Sequence, residues 1–244
     1  MGRGCRERAT SKQSKSDPSV GAGCTAPDGV ADALTSMAHS TCLRIAINKD
    51  FPEPRKIARA VEILERGGVI AYPTDTTYGI GCSIFEKKAI ERIELVKGLK
   101  KDHLFSFICP DLSDIARYAV VDNEAYRIMK RLLPGPYTFI LRATPEVPRM
   151  LQSKRKTVGI RVPNHPVTLA LARAFAKPII STSATIENKT LHNADDISLH
   201  LGHGLDIILD GEHLDAPPSS VVDLTGPYPV VIREGQGDLS WIEV

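Results

Sequence analysis

The stretch Gly67-Gly68-Val69-Ile70-Ala71-Tyr72-Pro73-Thr74-Asp75-Thr76-Thr77-Tyr78-Gly79-Ile80-Gly81 narrows most sharply what this chain can fold into. Two glycines interrupt the preceding pattern and a short apolar run follows. Five hydroxyl side chains (Tyr72, Thr74, Thr76, Thr77, Tyr78) and one carboxylate then crowd together. The segment is too polar for core and too rich in Gly and Pro for a helix. It is predicted as a loop at a strand end that turns hydrogen-bonding groups toward a small polar ligand. A turn held by its own hydrogen bonds is the alternative. Threonine hydroxyls both donate and accept, which suits an amino acid's carboxylate or hydroxyl. Asp75 could receive an ammonium or bond the amides of its own loop.

Around this loop, helical and strand patterns alternate. Pro54 opens a helix carrying Ile57, Ala58, Val61, Ile63 and Leu64, ended by Gly67-Gly68. Further helices are predicted at Lys88–Lys97, Leu112–Tyr118, Asn123–Leu133 and Val167–Phe175. Strands are predicted at Cys42–Ile47 (an edge), Val69–Tyr72, Phe105–Cys109, Tyr137–Ala143, Val158–Val162 and from Pro178 into Ser181-Thr182-Ser183. Asp206–Leu209, Ser220–Leu224 and Pro229–Arg233 follow without helices between them, so part of the sheet should be antiparallel. The expected fold is α/β: a twisted, mixed parallel/antiparallel sheet flanked by helices.

Residues 1–40 differ in kind, with six Ser, six Ala, five Gly and no hydrophobic periodicity. Such a segment cannot offset its ordering entropy, so a disordered tail followed by a single domain over 41–244 is expected. Arg3, Arg6 and Arg8 leave an organellar transit peptide open, against the acid residues Glu7, Asp17, Asp28 and Asp32. A start at Met37 is a third reading. The five cysteines show no CxxC spacing, which argues against a disulfide framework or a zinc site and for a reducing, cytoplasmic setting. No run approaches the ~18 apolar residues a membrane-spanning helix needs, so no membrane partner is expected.

Several other clusters carry chemistry. Lys97-Gly98-Leu99-Lys100-Lys101 places three lysines around a glycine past a helix, suited to nucleotide or RNA phosphates, or to plain solvation. Arg161 lies inside an apolar strand and must find an anion, either a structural carboxylate or a ligand. Lys154, Arg155 and Lys156 before it read as a rim. Pro134-Gly135-Pro136-Tyr137-Thr138 is a rigid turn into a strand. The hydroxyl run Ser181-Thr182-Ser183-Ala184-Thr185 could equally be a cap or turn. His200, His203, Asp206, Asp210 and His213 read as a surface loop rather than a metal site. No GxxxxGK[ST] or GxGxxG motif is present, so any ATP chemistry is not of P-loop type.

Taken together, Ala71–Gly81, Pro134–Thr138, Thr157–Pro163 and Ser181–Ala184 resemble the YrdC family of threonylcarbamoyl-AMP synthases and their YciO-type relatives, over Phe51 to Gly237. The resemblance implies a YrdC-like fold with a basic concave cavity. The activity it implies is ATP-dependent formation of threonylcarbamoyl-AMP from L-threonine and bicarbonate, in tRNA threonylcarbamoyladenosine modification. ATP would be a substrate with accompanying Mg²⁺, and no tightly bound metal is implied. Thr74, Thr76, Tyr78 and Arg161 would hold L-threonine. Lys97, helped by Lys100, would face the phosphates. Thr138, Ser181, Ser183, Ser220 and Arg233 would contact the nucleotide. Lys101, Lys154, Arg155 and Lys156 would attract tRNA or double-stranded RNA. Two positions depart from the synthase pattern. Leu99 stands where the Lys-x-Arg motif has its arginine, and Thr185 where Ser-x-Asn has its asparagine. Both departures resemble the YciO-type branch, for which RNA binding with weak or no synthesis is the competing expectation.

Overall fold

The structure, a computed structural model, describes residues 42–99, 105–153, 155–187 and 189–242. Expectations for residues 1–40, Lys100, Lys101 and Lys154 fall outside them. In chain order the elements are β1 (Leu43–Ala46), α1 (Pro54–Glu65), β2 (Ile70–Tyr72), β3 (Gly79–Ser83), α2 (Lys87–Val96), β4 (Ser106–Ile108), α3 (Leu112–Tyr118), β5 (Ala119–Val120), α4 (Asn123–Leu132) and β6 (Tyr137–Ala143). There follow β7 (Thr157–Arg161), α5 (Pro166–Phe175), β8 (Ile179–Ser183), β9 (Thr185–Ile186), β10 (Lys189–Thr190), α6 (Ala194–Leu201), β11 (Ile207–Asp210), β12 (Ser220–Asp223) and β13 (Val230–Arg233).

An 11-stranded sheet runs in the order β1-β11-β2-β3-β8-β4-β7-β6-β12-β13, with β5 added on β6. It is mixed, as expected: β1, β11 and β2 are parallel, whereas β3 opposes both β2 and β8. At the far end β12 runs parallel to β6 and antiparallel to β13. The last three strands do not form one antiparallel group, because β11 inserts between β1 and β2. β9 and β10 form a separate hairpin.

Besides the short strands β5, β9 and β10, which the sequence reading left unassigned, two elements depart from it. Gly79–Ser83, read as the end of a loop, is a strand that pairs Tyr72 with Gly79 and Ile70 with Gly81. The stretch after Asn193, not assigned to any element, is the helix α6. The Asn193 side chain accepts from the Asp196 amide, two acids occupy the first turn, and Ala194, Ile197 and Leu201 are buried at helical spacing.

Core lies on both faces of the sheet. α1 buries Ile57, Ala60 and Leu64 on one face together with Val167, Leu171, Ala172 and Phe175 of α5. On the other, Ile90 and Ile93 of α2, Met129 of α4 and Ile197 of α6 pack against Phe107, Phe139 and Ile160. Proline at the start of α1 and of α5 supplies a fixed φ where no intrahelical donor is needed.

Candidate functional site

Strand alternation builds the site. Phe107, Ile160, Phe139 and Val222 point into one core, and their neighbours Ser106, Gly159, Arg161, Thr138, Ile140 and Val221 line a cavity of about 710 Å³. The cavity crosses the sheet from Gly79 of β3 and the hydroxyl-rich β8 to the more apolar β6, β12 and β13, where Ile140, Val221 and Ile232 stand. Among the described lining residues are Lys97, Arg161 and Arg233 and no carboxylate.

The Thr74–Tyr78 loop is buried, against its polarity: Thr74 is 1% exposed, Thr76 0% and Thr77 2%. Hydrogen bonds account for it. Thr74 Oγ1 donates to the Thr77 carbonyl and accepts from the Thr76 amide. Arg161 Nη2 reaches Asp75 Oδ1 at 2.6 Å, Thr76 Oγ1 at 2.7 Å and Thr74 Oγ1 at 3.2 Å. Asp75 Oδ2 accepts from the Asn164 amide, and Thr168 Oγ1 donates to the Pro73 carbonyl, so the loop is clamped to the start of α5. Asp75 thus bonds a guanidinium and a distant amide rather than the amides of its own loop. Among the described residues Arg161 Nε is buried with no hydrogen-bond partner, a costly state for a charged group.

These contacts layer the expected threonine site. Arg161 lines the cavity with Thr77, Tyr78 and Gly79, while Thr74 and Thr76 stand behind it. The Tyr78 hydroxyl donates to the Glu212 carbonyl and accepts from the Gly211 and Glu212 amides, so its ring and backbone, not its hydroxyl, meet the cavity. The Glu212 carboxylate in turn bonds Lys49 and His165. His165 Nδ1 accepts from the Val167 amide and caps α5, which leaves Nε2 to donate to Glu212. Burial lowers the His165 pKa, outweighing the opposing pull of Glu212.

Lys97, at the C-terminal end of α2, reaches into the cavity. Its ammonium donates to Thr182 Oγ1 at 3.0 Å, to the Ser183 carbonyl and to Thr185 Oγ1 at 3.4 Å. Burial lowers its pKa to about 8. Ser181, Ser183 and Thr185 all line the cavity, as does Leu99. The two positions that depart from the synthase pattern therefore face the same space.

At the opposite end Thr138 Oγ1 lies 2.9 Å from Ser219 Oγ, and Arg233 donates to the Ser219 carbonyl. Burial and then the charge of Arg161 lower the Arg233 pKa. Ser220 is fully buried; it donates to the Gly237 carbonyl and accepts from the Gly235 amide, anchoring the segment behind the wall. Arg155 and Lys156 are exposed beside the lining residue Thr157. Asp206 is bonded to Arg92 and Asp210 to Arg44, while His213 stacks on His192.

Sequence reasoning missed Ser106, Thr157, Gly159, Thr182 and Thr190 as wall residues. Ser106 between two phenylalanines was a readable signal, since alternation sends it to the opposite face. Thr190 follows from the β9–β10 hairpin, which had no clear pattern. With no carboxylate among the described lining residues, the site does not fit a protein-held Mg²⁺.

Comparison with known proteins gives concordant results. The Sua5_yciO_yrdC family model, described as "Telomere recombination", matches residues 62–235. The chain is 46% identical over 196 residues to the uncharacterized protein YciO of Escherichia coli K12, covering 79% of this chain and 95% of that one. It is 33% identical over 209 residues to the threonylcarbamoyl-AMP synthase of Pyrococcus abyssi, covering 82% of this chain but 60% of the synthase. The E. coli YciO crystal structure superposes with TM-score 0.80 at 44% identity, over 83% of this chain and 100% of that one. The P. abyssi Sua5 structure complexed with L-threonine gives TM-score 0.75 at 30% identity, over 79% of this chain and 57% of that one.

Proposed function

We propose that this chain, which belongs to the Sua5/YciO/YrdC family, binds L-threonine and ATP in the cavity and joins them with bicarbonate into threonylcarbamoyl-AMP. One observation carries the reading. The described lining, which holds no carboxylate, presents Arg161, whose buried Nε has no partner among the described residues, together with the ammonium of Lys97. That is a site for anionic groups, with hydroxyls to orient them. The relative solved with L-threonine supports the amino-acid half.

In this reading threonine's amine takes up bicarbonate carbon with loss of water, giving N-carboxy-threonine. An oxygen of its N-carboxy group attacks the α-phosphorus of ATP, the bond from that phosphorus to the oxygen bridging to the β-phosphate breaks, and pyrophosphate leaves. Positioning and charge neutralisation do most of this work, and no covalent nucleophile is needed. Arg161 takes the threonine carboxylate and is aimed by Thr74, Asp75 and Thr76. Lys97 faces the phosphates. Ser181 and Ser183 orient oxygens between them, and Thr138 and Arg233 border the nucleoside end. Mg²⁺ would enter on the nucleotide's own phosphates.

The test is pyrophosphate release with ATP, Mg²⁺ and bicarbonate, with and without L-threonine, with Lys97→Ala as control. Threonine-dependent release that Lys97→Ala abolishes is the expected result. A second reading, RNA binding without synthesis, is favoured by exposed Arg155 and Lys156 beside the cavity and by Leu99 in place of arginine. No release, together with tRNA affinity that falls steeply with salt, would replace the first reading by the second.

A further inference from the structure

Tyr72 belongs to the core under α1 and α5 and is fully buried, yet its hydroxyl reaches the cavity wall. On β2 it lies opposite Gly79 of β3, and β3 in turn sets Gly81 opposite Ser181 of β8. A side chain on β2 can touch β8 only if β3 presents no side chain between them. The two glycines meet that condition. A Cβ on Gly79 would sit 3.0 Å from Tyr72 Cζ and 3.1 Å from Ser181 Oγ, and one on Gly81 would sit 3.3 Å from Tyr72 Cε1. Across this gap the phenol donates to Ser181 Oγ at 2.8 Å. The Ser181 carbonyl is meanwhile held by Ser106 Oγ, so both ends of the serine are fixed.

We infer that Tyr72 is a positioning residue that turns Ser181 into a hydrogen-bond donor aimed at an oxyanion in the cavity. With Ser181 Oγ accepting from the phenol, the serine's own O–H must point along another direction. Ser181 lines the cavity, so that direction is toward carboxylate or phosphate oxygen. Burial strongly raises the Tyr72 pKa and keeps the phenol a donor at every physiological pH. Tyr72 itself touches no ligand; it acts through Ser181.

The inference rests on the cavity reading above, and two measurements separate their failures. First, L-threonine and ATP affinities are measured by calorimetry for the wild type, Tyr72→Phe, Ser181→Ala and the double variant. Tyr72→Phe keeps the ring and is expected to weaken one ligand by about 2- to 10-fold, the worth of one hydrogen bond. The double variant should bind no more weakly than Ser181→Ala. Wild-type affinity in Tyr72→Phe, or losses that add in full, would overturn the inference. Second, Ser181→Cys is alkylated as a function of pH, alone and combined with Tyr72→Phe, following the peptide that carries position 181 by mass spectrometry. The phenol should stabilise the thiolate and lower the reaction midpoint by about one pH unit. Equal midpoints would refute the positioning role without any ligand. Failure of the wild type to bind either ligand would defeat the cavity reading alone.

Discussion

Replacing Asp75 by Asn isolates the contact on which the ligand loop depends. The Asp75 and Arg161 side chains are 10% and 9% exposed and 2.6 Å apart. Asn keeps the shape and can still accept from the Asn164 amide, but it leaves a guanidinium buried without its counter-charge. Removing one partner of a buried pair typically costs about 3–5 kcal/mol. Thr74 and Thr76 still accept from Nη2, so the low end, about 3 kcal/mol, applies here. For a domain of this size that is a fall in Tm of roughly 6–12 °C. Differential scanning calorimetry on Asp75→Asn, Arg161→Met and the double variant gives the coupling. The double variant should be more stable than the sum of the single losses implies, because neither charge is then stranded. A single-variant loss below about 2 °C, or strict additivity, would refute the claim that this pair organises the loop.

Further outcomes follow from neighbouring contacts. Acylation rates followed residue by residue should give Lys97 a midpoint near pH 8, and affinity for anionic ligands should fall as the pH rises through that value. A Lys97 midpoint matching that of exposed lysines would contradict the buried placement. Gly81→Ala would set a Cβ 2.3 Å from the Ile180 carbonyl and 2.8 Å from Ile179 Cγ2, so urea denaturation should show a loss of about 1–3 kcal/mol. His165 is buried with its pKa lowered, so below the unfolded value near 6.5 the unfolded chain binds the extra proton and stability falls with pH. His165→Asn retains a helix-capping side chain and should flatten that decline between about pH 7 and 5 in denaturation midpoints; an unchanged pH profile would rule out His165 as its source.

The alternation of apolar and polar residues made most of the sheet readable, and Pro54 marked a helix start well. The 73–79 loop misled in one respect. Its polarity argued for exposure, whereas Arg161, eighty-odd residues away in sequence, satisfies its hydroxyls in the interior. Long-range pairing of that kind leaves no local trace. The same holds for Tyr78, whose hydroxyl partners lie at Gly211 and Glu212. β3 was hidden because its glycines, which suggest a turn, serve here to admit a neighbour's ring. The strand position of Arg161 was legible from the cost of burying a lone charge, but whether a carboxylate or a ligand meets it was not; in the fold the carboxylate of Asp75 does. α6 was missed although Asn193 and its acidic first turn are ordinary helix-start signals, because the histidines that follow read as a surface loop.

The insertion of β11 between β1 and β2 bears on how the molecule is made. Leu43 and Ile70 both align with Ile207, so two strands from the first third of the described chain wait for one from its last. The Tyr78 hydroxyl waits likewise for residues 211 and 212. On a ribosome, the early strands would emerge with open edges while well over a hundred residues are still to come, a topology that favours slow, late closure. Ligand binding at the 73–79 loop would then arise near the end of folding, and a nascent chain stalled before residue 207 would carry the motif without the pocket.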